Sequence, residues 1–221
     1  MMAASGVAGA QAQPVAQDRA GGAPTTGGAE VATTMLPADG LRITVETAVG
    51  ERLRVFGGGS PGATLVEGAA TLGARYALTT EAHDGVATWV GTRYSAAGHE
   101  GRPELAVTAA ACKHTGAFVV SGAVEFAREL AEDQRDAELG VTVARALSRR
   151  LEVGVAGHAT VDLDPGRADG GEIRWEASGG PTATLHVGRL ALLVHGGAAA
   201  LATPYAVAAG PFALASVAGW F

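Results

Sequence analysis

The sequence contains one cysteine, Cys112, and one lysine, Lys113, in 221 residues. A single thiol excludes an internal disulfide framework and any zinc site built from a cysteine cluster. Fifteen arginines and that lysine stand against 22 carboxylates, a net charge of −6, which leaves no basic stripe for nucleic acid. Charged residues supply only 17% of the chain and aromatics 5%. Hydrophobic residues nonetheless make up 48%, which excludes an intrinsically disordered chain. Residues 190–221 contain no Asp, Glu, Lys or Arg, a composition that invites a transmembrane helix. Pro204, Pro211 and Gly196-Gly197 cut that stretch into pieces shorter than the roughly 20 apolar residues a spanning helix needs, so a helix is rejected.

What the chain has in excess is small residues, 48 Ala and 33 Gly, in a length suited to one domain. Ala10-Gln11-Ala12 fits the small-x-small rule of a signal-peptidase site, although no basic and apolar signal regions precede it. Residues 1–12 are therefore read as the residual tail of a signal peptide, which implies export. Residues 13–40 hold Pro, Gly, Thr and Ala without periodicity and are expected to form a flexible N-terminal segment. Residues 41–221 are expected to form the folded domain.

Within that domain the dominant signal is period two, which sends successive side chains to opposite faces of a strand. Leu151, Val153, Val155, Ala159, Val161 and Leu163 alternate with Glu152, Gly154, Ala156, His158, Thr160 and Asp162. Leu139, Val141 and Val143 alternate with Glu138, Gly140 and Thr142 in the same way. Breaks between such runs divide the domain into about ten strands, with a range of 8–12: 41–56, 63–79, 85–97, 104–111, 116–130, 136–147, 151–163, 172–187, 190–202 and 211–221. A connection as short as Gly188-Arg189 joins only antiparallel neighbours. Several runs are long for a soluble sheet and reach the 9–11 or more tilted residues that cross a hydrocarbon layer. The expected fold is all-β, an antiparallel up-and-down transmembrane β-barrel. Short turns are expected at one end and longer loops at the other.

Aromatics on the apolar parity fall into two groups suited to membrane interfaces. Tyr76, Phe118 and Phe221 lie toward the short turns, and Tyr94, Phe126 and Trp175 toward the long loops. Phe56 shares the parity of Arg52 and Arg54 and is left out of this set. Arg128 and Arg145 fall on the lipid parity near strand ends, from which they can reach the interface. Glu51 shares that parity, and Gly50-Glu51 is an alternative hairpin that would split the first strand.

The chain ends PFALASVAGWF, with Ala213, Ala215 and Val217 on the parity of Phe221. A terminal Phe closing an alternating strand resembles the assembly signal of Gram-negative outer-membrane β-barrel proteins. Gly219 departs from the large apolar residue that family often places there. The resemblance covers residues 41–221 as a small-barrel architecture without a subfamily. It implies an outer-membrane location, outer-membrane lipid as surroundings, and engagement of the outer-membrane assembly machinery through the strand ending at Phe221.

The opposite parity carries Arg42, Glu46, Arg52, Arg54, Glu67, Arg75, Arg93, Glu125, Glu152, His158, Asp162, Arg174, Glu176 and His186. Mixed signs facing one another inside a barrel form salt bridges that fill the lumen, with Trp89 adding bulk. The alternative is a narrow path with charge selectivity. No HExxH motif or close His pair occurs, and His158 and His195 are expected to lie a strand apart, roughly 10 Å, so no metal site is assigned. No cofactor is assigned either.

Two glycine motifs offer enzyme readings. Gly57, Gly59 and Gly62 match G-x-G-x-x-G with Glu81 downstream, the pattern of a dinucleotide-binding turn. Gly58, Ser60 and Gly62 match G-x-S-x-G, the nucleophile elbow. Both need helices that the downstream alternation does not supply. The expected role is structural, interactive or that of a narrow pore, with the loops at 131–135 and 164–171 facing an unknown partner. The alternatives are a soluble nucleotide-binding enzyme using Gly57–Gly62, a barrel-embedded hydrolase at the loop rim near His158, Asp162 and Asp164, or a secreted β-sandwich.

Overall fold

The computed structural model describes residues 27–34, 41–49, 51–60, 69–96, 103–131, 135–163, 175–203 and 206–220. They form one antiparallel sheet of twelve strands closed into a barrel. The strands are β1 (Gly27–Thr34), β2 (Leu41–Val49), β3 (Leu53–Ser60), β4 (Ala69–Thr79), β5 (Ala87–Ser95) and β6 (Glu104–Thr115). They continue as β7 (Phe118–Glu129), β8 (Arg135–Ala146), β9 (Leu151–Asp162), β10 (Trp175–Val187), β11 (Leu190–Ala202) and β12 (Val207–Trp220). A single helical turn, α1 (Glu81–Asp84), lies between β4 and β5. Each strand pairs with its sequence neighbours, and β1 pairs with β12 to close the ring, Gly28 opposite Trp220.

Two differences from the sequence reading account for twelve strands rather than ten. The run 41–56 is two strands, folded back at Glu51-Arg52 so that Val49 pairs with Leu53. The segment 13–40 contains β1, so the barrel begins at Gly27 rather than at 41. This strand is stabilised by pairing on both edges, with Val31 between Val217 and Ile43, more than by its own apolar content. Residues 1–12 lie outside the described residues, as does the rest of that lead-in through residue 26.

The turns separate by length. Gly116-Ala117 and Gly188-Arg189 are two-residue hairpins, each with a glycine at positive φ (61° and 62°) that fits the mirror-image turns a twisted hairpin requires. They lie at one end with the β2–β3, β4–β5 and β8–β9 connections, the start of β1 and the end of β12. The longer connections, such as 163–174 between β9 and β10, lie at the other end.

Alternation in sequence becomes alternation in burial. On β6 the even residues Ala106, Ala110 and Cys112 are buried, and the odd residues Leu105, Val107 and Lys113 are exposed. Val155, in the middle of β9, is 60% exposed; Val141 and Val143 are exposed on the adjacent β8, and Leu192 and Val194 on β11. The large apolar side chains therefore cover the outside of the barrel and the polar ones its inside, the reverse of a soluble domain. On β8 the outward residues between Arg135 and Arg145 are Ala137, Leu139, Val141 and Val143. Ten residues at ~3.4 Å each, tilted ~40°, give an apolar band roughly 25 Å tall, the height of a barrel's hydrocarbon belt. Arg128 and Arg145 lie at the ends of their strands, and Glu51 is in an exposed turn.

The β10–β11 junction departs from this regularity. Pro181, in the middle of β10, lacks the N–H a central strand donates. The ladder to β11 runs from Gly179–Ala198 to Thr182–His195 without pairs at Gly180 or Pro181. There the backbones close so tightly that a Cβ on Gly180 would lie 2.1 Å from the Gly196 carbonyl oxygen, and one on Gly197 2.1 Å from that of Gly179.

The nucleotide-binding and nucleophile-elbow readings are overturned by this fold. Gly57–Ser60 form the end of an antiparallel strand, and Ala69–Leu72 begin the next one, where either motif needs a helix. Residues 61–68 lie outside the described residues. Among the described residues no helix is long and apolar enough to cross a membrane.

The barrel lumen as candidate functional site

Period-two placement sends one face of every strand into the lumen, and antiparallel register decides which of those side chains meet. Glu46 on β2 is half-buried and accepts from Arg54 on β3 (3.0 Å) and Arg75 on β4 (2.5 Å) through one carboxylate oxygen. Arg93 on β5 binds Glu104 on β6 (2.8 Å) and Glu125 on β7 (2.5 Å). Glu125 also accepts from the Thr108 hydroxyl, 2.5 Å away. Among the described residues the inward arginines all lie on β3–β5.

The next strands carry the opposite sign. Glu104, Glu125, Glu129, Asp136, Glu138, Glu152, Asp162 and Glu176 all take the inward parity on β6–β10. Among the described residues nine inward carboxylates, these eight and Glu46, face three inward arginines, Arg54, Arg75 and Arg93. Register places carboxylates directly opposite one another at three points: Glu104 and Glu129, Glu125 and Glu138, and Asp136 and Asp162. Such pairs are unfavourable unless cations compensate them. Arg93 does so for Glu104 and Glu125. Glu138 has His158 Nε2 at 3.5 Å, and Glu129, Asp136, Asp162 and Glu176 have further partners.

Histidines line the same wall. His186 Nε2 lies 3.8 Å from Glu152 near the short-turn end. His158 on β9 and His195 on β11 are separated by β10, where they pair with Ser178 and Thr182. Among the described residues no group of three metal-ligating side chains converges. The last sector, β11 and β12, is apolar, with Leu193, Leu201, Phe212 and Leu214 inward. His195 meets the Phe212 ring edge-on, centroids 4.8 Å apart.

Among the described residues three large aromatic rings enter the lumen. Trp89 lies between the small residues Ala77 and Ala110, and Phe56 lies against Gly73, where a Cβ would come 2.2 Å from the ring. Phe212 is the third. Elsewhere the inward wall is small, with Ala106, Ala110, Ala123, Ala127, Gly140, Ala144, Gly154 and Ala156 on β6–β9.

At the short-turn end α1 folds onto β6. Glu81 accepts from both the backbone N–H and the ring Nδ1 of His114, the inward residue near that end of β6. Burial pushes the Glu81 carboxyl up, but the His114 hydrogen bonds and charge outweigh it and hold the group below its ordinary value. Asp84 caps the same turn, held below its ordinary value by hydrogen bonds from His83 and the Thr80 N–H.

Of the residues expected in the lumen, Arg52 is misplaced: it lies in the exposed β2–β3 turn because the first strand folds back there. The side chains of Arg42, Glu67, Arg174 and Phe221 lie outside the described residues. Glu46, Arg54, Arg75, Arg93, Glu125, Glu152, His158, Asp162, Glu176 and His186 face inward. Tyr76, Tyr94, Phe118, Phe126 and Trp175 are exposed on the outer face. The sequence reading missed Glu104, Glu129, Asp136, Glu138 and His114. Their signal was present, since Glu138 alternates with Leu139 just as Glu152 does with Leu151.

No protein-family model matches the chain, and no curated protein is similar to it. Solved structures are similar in fold. The KdgM porin in complex with disordered oligogalacturonate superposes with a TM-score of 0.62 at 8% identity, over 88% of this chain and 99% of that one. The NanC porin gives 0.59 at 6% identity, over 88% and 99%. An outer-membrane channel from Pseudomonas putida F1 gives 0.57 at 12% identity, over 90% and 97%. The chain has the fold of an outer-membrane β-barrel, and its outer apolar band fits that membrane.

Proposed function

We propose that this outer-membrane barrel is a narrow, water-filled pore that favours small cationic and neutral solutes over anions. The observation that carries the reading is the lumen wall: nine carboxylates against three arginines among the described residues, on strands whose other inward side chains are mostly small, Ala, Gly, Ser and Thr. Eight strands close around an interior that side chains just fill, and twelve enclose a wider one. A ring of twelve strands at ~4.8 Å spacing and ~40° tilt is roughly 24 Å across at the backbone, leaving room for water beside small side chains. Trp89, Phe56 and Phe212 narrow that room and favour small solutes. The arginines are each held by carboxylates, so they offer an anion little free charge, whereas the β6–β10 wall is acidic along its length.

The experiment has two stages. Detergent-extracted protein is run on SDS–PAGE with and without boiling, and a mobility shift marks a closed, detergent-resistant barrel. The folded species is then placed in a planar bilayer under a salt gradient. Discrete conductance with a reversal potential of cation-selective sign supports the pore. A heat-modifiable barrel without conductance would assign the molecule a filled, structural role instead.

A further inference from the structure

The short-turn rim carries a cationic sector that the lumen does not use. Lys113, the chain's one lysine, points outward near the end of β6. Arg145 points outward at the matching end of β8, with its guanidinium 5.7 Å from the centre of the exposed Phe118 ring on β7. Phe118 is the cross-strand partner of Arg145, and Val120 is that of Lys113, so the two cations flank an apolar patch one strand wide. The following turns add exposed Arg149, Arg150 and Arg189. Among the described residues, no exposed carboxylate lies on this side of the rim between β6 and β11. Glu152 points inward, Glu51 and Asp84 belong to the β2–β5 side, and Glu81, near enough to feel the Lys113 charge, is half-buried and held by His114.

We infer that this sector binds the anionic headgroup of a glycerophospholipid in the leaflet on the short-turn side, at a site formed by Lys113, Phe118 and Arg145 with the turn arginines above. The inference rests on the membrane reading above. Lys113 and Arg145 stand where the apolar band ends, the depth of phosphates, and Phe118 beside them provides an apolar floor for the first methylenes of an acyl chain. A planar guanidinium matches phosphate oxygens in pairs, and the lysine adds a second point charge. Each basic side chain at an anionic lipid surface strengthens binding by roughly fivefold.

The test is native mass spectrometry of the folded, heat-modifiable barrel released from nanodiscs of equimolar phosphatidylcholine and phosphatidylglycerol. The wild type is expected to retain phosphatidylglycerol in preference, and Lys113→Gln with Arg145→Gln to lower that enrichment roughly 25-fold while preserving the heat shift. Arg52→Gln, at the opposite side of the rim, is expected to leave it unchanged. Equal retention of the two lipids by the wild type, or enrichment that survives the double substitution, overturns the site while leaving the barrel intact. A wild type that neither enters nanodiscs nor shifts on heating overturns the membrane reading and this site with it.

Discussion

Glu125 and Glu138 stand directly opposite each other on β7 and β8, both turned into the lumen, and Arg93 binds only the first of them. Neutralising the second should therefore alter the pore's charge more than its stability. Glu138→Gln is expected to change the unfolding free energy by less than ~1 kcal/mol, the scale of a like-charge cross-strand pair. It should shift the reversal potential in a salt gradient toward the unselective value. A wild-type reversal potential in this variant would mean that ions do not pass Glu138.

Arg93 is the counterpart case. Its two carboxylate partners are both largely removed from water, so Arg93→Met leaves two uncompensated charges in one place. A loss of roughly 3–5 kcal/mol is expected, read as a lower urea midpoint for the heat-modifiable band. Arg93→Lys should recover only part of it, because an ammonium does not present the planar fork of a guanidinium.

Val155 lies mid-strand on the outer face, where lipid surrounds it under the membrane reading. Val155→Arg should destabilise the inserted barrel by roughly 2–4 kcal/mol, measured by reversible unfolding in lipid vesicles. A silent Val155→Arg beside a harmful Glu152→Ala would turn the barrel's faces inside out.

At the β10–β11 junction, Gly180→Ala places a methyl group against the Gly196 carbonyl oxygen. The strands must separate there, and a cost of roughly 1–3 kcal/mol is expected, seen as a smaller heat-stable fraction after refolding. Gly188→Ala tests a different cause, the positive φ of a hairpin glycine, and should act on the turn alone.

The contact of Glu81 with His114 gives the short-turn end a pH dependence. A carboxyl held below its ordinary value of 4.5 contributes stability that is complete above that pH and is lost as pH falls through the folded value. Protection of α1 from hydrogen exchange, taken relative to the intrinsic rate at each pH, should therefore fall below pH 4.5 in the wild type. Glu81→Gln should show the lower protection at all pH values and no such step.

Most of the architecture was legible because a barrel strand carries its own orientation: Leu151 to Asp162 spells out lipid and lumen in alternate letters. What the letters did not carry was register. Nothing local to Glu138 says that it will meet Glu125, since that depends on where the β7–β8 connection sets the pairing. The same limit hid β1, whose GGAEVATT has one large apolar residue and is a strand because both neighbours hydrogen-bond to it. Arg52 failed for the opposite reason: its alternation with Leu53 continued across a reversal of the chain.

The pairing of β1 with β12 joins Gly28 to Trp220, almost the full length of the chain apart. Loop closure on that scale comes late, so the sheet spends its folding time with two unpaired edges, each able to recruit another chain. The molecule is then most prone to aggregate when nearly finished. Its yield in any refolding experiment should fall steeply with protein concentration, and a holding partner or a bilayer present from the start should restore it.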